Sequence, residues 1–358
     1  MKPSFHARKG LIALSVCAAL LLIAGMKIDA PDFFRSYLFA FLFCLGLSLG
    51  AMANLMLHEL TGGRWGIALR PPWMAATRLV PLNIVLFVPL LFGLPLVYHW
   101  IGSTSPEVIA KHWWLNRPFF LARAAVYLLV WSVLAWRWLA LATRCGELRP
   151  PGLRRWSALG LVVYGLTISL AAVDWIMSLM PQWYSTTFGL LVGTSQMLSG
   201  LALGVLACER AGADRLQDFG NLLLMYVMSW AYLAFTQYLI IWAEDLPNEI
   251  SWYLPRVQTS WRWVSLSVLL LQFALPFALL LLRAVKRDAR YLGPLALLLL
   301  VGQLLFDFYL VMPGLEPQGF SITWSDVLAP LAVVGLWLAT WLRNLDTLAT
   351  ASPRQPTA

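Results

Sequence analysis

Two carboxylates stand inside long apolar stretches of this chain. They are Asp174, in Asp174-Trp-Ile-Met-Ser-Leu-Met-Pro-Gln-Trp-Tyr-Ser-Thr-Thr, and Asp307, in Asp307-Phe-Tyr-Leu-Val-Met-Pro. An acid within lipid thickness is expensive and faces a bundle interior or a wet cavity, where it can exchange protons, pair with a cation or hold a ligand. Both acids are followed by an aromatic residue, and Met-Pro closes both stretches. Two arginines are their natural partners. Arg123 and Arg262 each follow another arginine, Arg117 and Arg256, by six residues at the entry of an apolar segment. A buried pair of this type keeps both groups charged. Gln303 lies one turn before Asp307, on the same helix face, whereas Leu170 holds that place before Asp174. The expectation is that Gln303 and Arg262 hold Asp307 firmly, and that Asp174, near Ser178, Pro181 and Trp183, is the better hydrated proton carrier.

Two further pairs of polar residues join the candidate site residues. His58 and Glu59 end an apolar segment, where a carboxylate neighbour can tune an imidazole across neutral pH; a solvated helix end is the competing reading. Tyr232 and Gln237 lie on the most polar of the apolar segments, together with Asn221, Tyr226, Ser229 and Thr236. Such a segment must face protein or a hydrated cavity. Metal chemistry is not expected. Cys17, Cys44, Cys145 and Cys208 are scattered with no CxxC pair, which argues against zinc and iron–sulfur sites. His58 and His99 lie toward opposite helix ends and cannot form an axial haem pair, and no nucleophile, base and acid set points to a hydrolase.

The elements that position these residues follow from composition. Of 358 residues, 60% are hydrophobic and 12% charged, with mean hydropathy +0.72. That excludes an ordinary soluble domain and predicts an all-α polytopic membrane protein. A spanning helix needs about 20 apolar residues. About ten transmembrane helices are expected, over 10–26, 33–57, 78–99, 118–142, 156–180, 186–208, 218–243, 261–282, 291–312 and 325–342. The third, with Pro81, Pro89 and Pro95, should be kinked or locally unwound. The first follows a basic stretch but shows no Ala-x-Ala cleavage pattern before Pro31, so it is expected to remain as a helix. Gly46, Gly50 and Ala53 on the second helix suit close packing, and Gly62-Gly63 marks a turn.

The net charge of +9 is distributed by topology and does not call for nucleic acid. Most of the lysines and arginines fall in the termini and alternate loops, while the opposite loops hold only Lys27, Arg35, Lys111, Arg117 and Arg256. The positive-inside rule places both termini in the cytoplasm.

Laying helices two to five over helices six to nine brings the arginine pairs, the acids and the Met-Pro steps into register. A shift of four helices preserves orientation, so these would be parallel repeats. The expected organisation is one integral membrane domain over 1–350, with two four-helix bundles at 33–180 and 186–312, peripheral helices one and ten, and a disordered tail over 351–358.

Four stretches carry a family resemblance: His-Glu-Leu-Thr-Gly-Gly-Arg-Trp-Gly over 58–66, Trp-Leu-Asn-Arg-Pro-Phe-Phe-Leu-Ala-Arg over 114–123, the Asp174 stretch, and Trp-Ala-Tyr-Leu-Ala-Phe-Thr-Gln-Tyr-Leu-Ile-Ile-Trp over 230–242 with Leu-Pro-Asn-Glu over 246–249. With these, the chain resembles the NrfD-like, polysulfide-reductase-type membrane subunits, closest to the F subunits of alternative complex III, the quinol:cytochrome c oxidoreductase of bacterial respiratory chains. The resemblance implies a bacterial inner-membrane subunit without a metal or covalent cofactor of its own, in contact with quinone or menaquinone or conducting protons. It also implies a sister NrfD-like quinol-oxidising subunit, an iron–sulfur subunit and c-type haem subunits as partners. One departure is Arg70-Pro-Pro-Trp, where the family continues with paired arginines and an acid; a cytoplasmic proton entrance using that acid is not expected here. The functional expectation is a non-catalytic or quinone-facing subunit, and the alternative is a secondary transporter with parallel helical repeats. A reporter fused after Arg343 should read as cytoplasmic and one inserted at Gln182 as periplasmic; the reverse pattern would overturn the orientation.

Overall fold

The computed structural model describes residues 5–27, 29–144, 151–208 and 212–351. The expected tail from Ser352 and Cys145 lie outside them. Every regular element among the described residues is helical. In chain order they are α1 (Phe5–Met26), α2 (Ala30–Thr61), α3 (Arg64–Thr77), α4 (Leu82–Val97), α5 (Pro106–Ala110), α6 (Arg117–Arg144), α7 (Pro151–Trp175), a 3-10 turn (Met177–Leu179), α8 (Phe188–Ala207), α9 (Ala213–Glu244), α10 (Pro247–Ile250), α11 (Tyr253–Gln258), α12 (Trp261–Val268), a π-helical segment (Leu269–Ala274), α13 (Leu275–Leu281), α14 (Arg283–Arg287), α15 (Ala289–Leu315) and α16 (Trp324–Ala351). Among them, nine spans are long and apolar enough to cross a membrane, and a bent helix pair makes up to ten. The chain is an all-α polytopic membrane protein.

The bent pair is α3 and α4, which meet at 42°. Pro81 caps α4, and its missing N–H and fixed φ stop a straight helix from passing through. The expected kink is therefore a break, and the span starts earlier than 78. Gly62 and Gly63, with φ of 73° and 101°, make the preceding turn, a conformation with no penalty for glycine alone. A second irregularity lies in the α12–α13 span. Pro276 has no N–H for the carbonyl of Gln272, and the Leu275 N–H reaches back to Leu270 O, five residues away. The extra residue is absorbed as a π turn.

α2 is the central helix, buried along its whole spanning length. Asp29 caps its start by accepting from the Asp32 N–H at 3.1 Å. Its most extensive partner is α8. A Cβ on Gly200 of α8 would fall onto the backbone of Gly50 and Ala51, so the two helices meet backbone to backbone. Asn54 spans that crossing, donating to Gly50 O at 2.9 Å and Met197 O at 2.8 Å while accepting from the Tyr226 hydroxyl at 2.9 Å. In an apolar medium, such fully matched amides hold helices where hydrophobicity cannot.

The packing pairs around this crossing repeat. α2 packs on α4 and α7, and α8 packs on α9 and α15; α6 packs on α7, and α12 on α15; α7 packs on α8, and α15 on α2. Exchanging α2 with α8, α4 with α9, α6 with α12 and α7 with α15 maps this set onto itself. α1 and α16 pack on each other, and Arg8 pairs with Asp346 at 3.4 Å, so the start of α1 and the end of α16 lie on one face. Gly200→Val should lower the apparent melting temperature of the detergent-solubilised protein by several degrees, since overpacking costs about 1–3 kcal/mol. Gly165→Ala, at a position with open space around it, should leave it unchanged; equal effects would remove the crossing from its central role.

Candidate functional site

Asp174 lies in the last turn of α7 and is fully buried. Both oxygens are saturated. Oδ1 accepts from Arg123 Nη2 at 2.8 Å and Trp114 Nε1 at 2.9 Å, and Oδ2 accepts from Arg123 Nε and the Tyr127 hydroxyl, each at 2.8 Å. Arg123 also donates to Trp114 O at 3.1 Å, and its guanidinium lies 4.0 Å from the Trp114 ring centre and 4.1 Å from that of Phe119. The expected Arg123–Asp174 pair is present. The expected hydrated proton carrier is not: four donors fix the carboxylate, and Trp175 below it sits among Phe41, Phe87, Tyr127 and Trp131.

Asp307 is held far more loosely. Gln303 Nε2 donates to its Oδ1 at 3.2 Å, while Gln303 accepts from Gln272 at 2.9 Å and reaches Ser195 at 3.4 Å. Arg262 does not join it. That side chain is exposed and lies 5.3 Å from the Trp263 ring, so the second arginine–aspartate pair read from the six-residue spacing is corrected. The spacing repeats, but the buried member is Arg123 in one half and Arg256 in the other.

Arg256, on α11, is completely buried. It donates to Trp252 O at 2.7 Å, Tyr309 O at 3.2 Å and Leu310 O at 3.3 Å, and its guanidinium stacks 3.4 Å from the Trp252 ring centre. Pro313 explains why a carbonyl is free to receive it: Tyr309 O would bond to the N–H of residue 313, and proline has none. No carboxylate pairs with Arg256 among the described residues.

Arg256 forms one end of a cavity of about 520 Å³ bounded by α8, α9, α11, α12, the π segment and α15. The walls are aromatic and aliphatic, including Phe188, Trp230, Phe273 and Phe306. Gln237 and Tyr253 share the polar end, joined by a 3.3 Å hydrogen bond. Phe235, Tyr238, Val257 and Leu269 line the same cavity and are exposed on apolar helix faces, so it opens sideways toward lipid. Few polar groups converging in a mostly apolar pocket is the ordinary form of a small-molecule site.

The remaining candidates are divided. Gln237 is in the cavity. Tyr232 points the other way and is 68% exposed, so it belongs to the lipid-facing surface. His58 and Glu59 are both buried, which removes the solvated-end reading. His58 Nε2 lies 3.0 Å from Gly63 O and meets Trp65 edge-on. Glu59 lies 3.9 Å from Arg70. These two groups lie on the face that carries the start of α1 and the end of α16, and the cavity lies toward the opposite face.

The linker between the halves touches both arginine sites. Ser178 donates to Asp174 O, Met180 Sδ lies 3.7 Å from Arg256 Nη1, and Trp183 stacks on Trp252 at 4.2 Å. Lys111 fixes its outer side through Pro181 O at 2.5 Å; burial pulls this ammonium below its usual range, with Glu107 opposing. Sequence reasoning missed Arg256, Trp252 and Gln272. The signals were the Trp252-x-x-x-Arg256 spacing and the carbonyl that Pro313 frees. Among the described residues, no three His, Cys, Asp or Glu side chains gather as a metal site. No family model matches the sequence, and no curated protein matches it.

The two acids should respond oppositely to neutralisation. Asp174→Asn strands a buried arginine and should cost about 3–5 kcal/mol, and Arg123→Gln added to it should recover part of the loss. Asp307→Asn exchanges one hydrogen bond, about 1 kcal/mol. Thermal unfolding of the solubilised variants decides; a larger loss for Asp307→Asn would overturn this assignment.

Proposed function

We propose that this chain is an integral membrane subunit of a respiratory quinol:cytochrome c oxidoreductase of the alternative complex III type, and that it contacts quinone through the lateral cavity beside Arg256. The observation that carries the reading is that cavity. A quinone is a flat ring with two carbonyl acceptors on a long apolar tail, and it reaches proteins through the bilayer. Aromatic walls suit the ring, the guanidinium and the Gln237–Tyr253 pair suit the carbonyls, and an opening toward lipid suits the tail.

The four motif stretches support the wider assignment. The Asp174 stretch forms the linker that touches both halves, and the stretch over 230–242 supplies Trp230, Gln237 and Tyr238 to the cavity wall. On this reading the chain sits in the bacterial inner membrane with both termini cytoplasmic, so the cavity lies toward the periplasmic side. Protons released on that side by quinol oxidation in a partner subunit would be delivered outward. The iron–sulfur and haem c groups that accept the electrons belong to partner subunits, together with a sister NrfD-like subunit.

The test is native isolation of a tagged chain in mild detergent, followed by labelling with an azidoquinone. Expected are copurifying subunits with c-type haem absorbance, and label on peptides covering 230–238 or 252–257 that excess quinone suppresses. Isolation as a lone chain, or label confined to other peptides, would overturn the proposal.

A further inference from the structure

Among the described residues, the unpartnered buried polar atoms of the cavity lining are donors. Arg256 Nε and Trp230 Nε1 are both buried, both belong to cavity-lining residues, and neither has a hydrogen-bond partner among the described residues. An unmatched donor in an apolar site carries a penalty that a ligand acceptor removes. The acceptors nearby are already engaged. The carbonyls of Trp252, Tyr309 and Leu310 take the Arg256 guanidinium, Gln237 Oε1 takes the Ser185 hydroxyl at 3.2 Å, and the Tyr253 oxygen takes Gln237 Nε2. That last bond leaves the phenolic proton of Tyr253 as a further donor. Ser265, on the opposite wall, gives its proton to the carbonyls of Arg256 and Trp261, at 3.0 and 3.2 Å.

We infer that the cavity selects the oxidised form: it binds quinone, an acceptor-only ring, in preference to quinol. This rests on the quinone reading above. A quinol placed here could turn its oxygens toward Arg256 and Trp230, but its hydroxyl protons would compete for oxygens already engaged, those of Gln237, Tyr253 and Ser265, or for the hydroxyls of Tyr238 and Tyr309, which carry protons of their own. A quinone carbonyl brings no proton to satisfy. The charge logic agrees, because a guanidinium without an acid partner favours the electron-rich carbonyl oxygens. The contrast with Asp174 is chemical. A site that takes hydrogen from quinol needs a free acceptor beside the ring, and the carboxylate of the first half is saturated by four donors. The cavity is therefore suited to holding product or a resident quinone, with quinol oxidation located elsewhere in the assembly.

The experiment uses the intact complex in nanodiscs and measures protection of the azidoquinone label by a short-tailed quinone and, anaerobically, by its quinol. The expected result is protection at about tenfold lower concentration for quinone, with Trp230→Phe narrowing that difference several-fold. Trp230→Phe keeps the ring packing and removes only the donor, so it separates this effect from misfolding. Equal protection, or stronger protection by quinol, would overturn the redox selectivity while leaving quinone binding in place. Failure of both to protect would remove the quinone reading itself.

Discussion

A bilayer offers no water to hydrogen-bond a buried cation, so an arginine within or beside it must be neutralised by protein groups in place. The two halves of this chain meet that constraint differently. Arg123 is matched by a carboxylate, and the result is a closed cluster in which ring faces cover what the ion pair leaves. Arg256 is matched by carbonyl oxygens and a tryptophan face. Carbonyl dipoles reduce the cost of burial without cancelling the charge, so a positive group remains at the end of a cavity. The packing pairs of the halves correspond, yet their interiors are electrostatically unlike.

The residue after each acid helps to decide which interior is filled. Trp175 turns inward and occupies the space among α4, α6 and α7 with Phe87, Tyr127 and Trp131 around it. Phe308, after Asp307, packs instead on Phe39, Trp261 and Phe320. That leaves the interval between α9 and α15 to Trp230 and Phe306, which do not close it. The π segment adds to the opening. Pro276 forces an extra residue into the turn, Gln272 is directed to Gln303, and Leu269 and Phe273 are set along the cavity wall.

Much of the fold was legible in the sequence because membrane spans depend on a one-dimensional quantity, apolar length. The break near Pro81 and the turn at Gly62-Gly63 follow from local backbone rules and were legible for the same reason. The site was only half legible. Arg123 could be paired with Asp174 because both lie on long helices whose depth can be counted. Arg256 lies on a six-residue helix in a folded loop, and its depth depends on where that loop dips beside α15. Counting residues placed it near the surface and sent Arg262 inside. The reverse is true because Trp252 and Trp261 anchor the loop at both ends, each buried, and carry Arg256 in with them. Tyr232 failed for a different reason. Tyrosine is tolerated on lipid-facing helix surfaces, so a polar-looking track does not by itself identify the inward face.

The linker from Asp174 to Trp183 then acquires a physical meaning that neither half has alone. Its start is fixed by the carboxylate cluster, its middle places a thioether against Arg256, and its end stacks beneath the tryptophan on which that arginine rests. Because Asp174 cannot move without breaking four hydrogen bonds, the linker is held at its origin, and Lys111 holds it again at Pro181. Met180 and Trp183 are thus fixed supports for Arg256 and Trp252, which line the cavity. The saturated acid of one half serves to position the unsatisfied cation of the other, and the ion pair thereby supports the cavity end that it does not itself line.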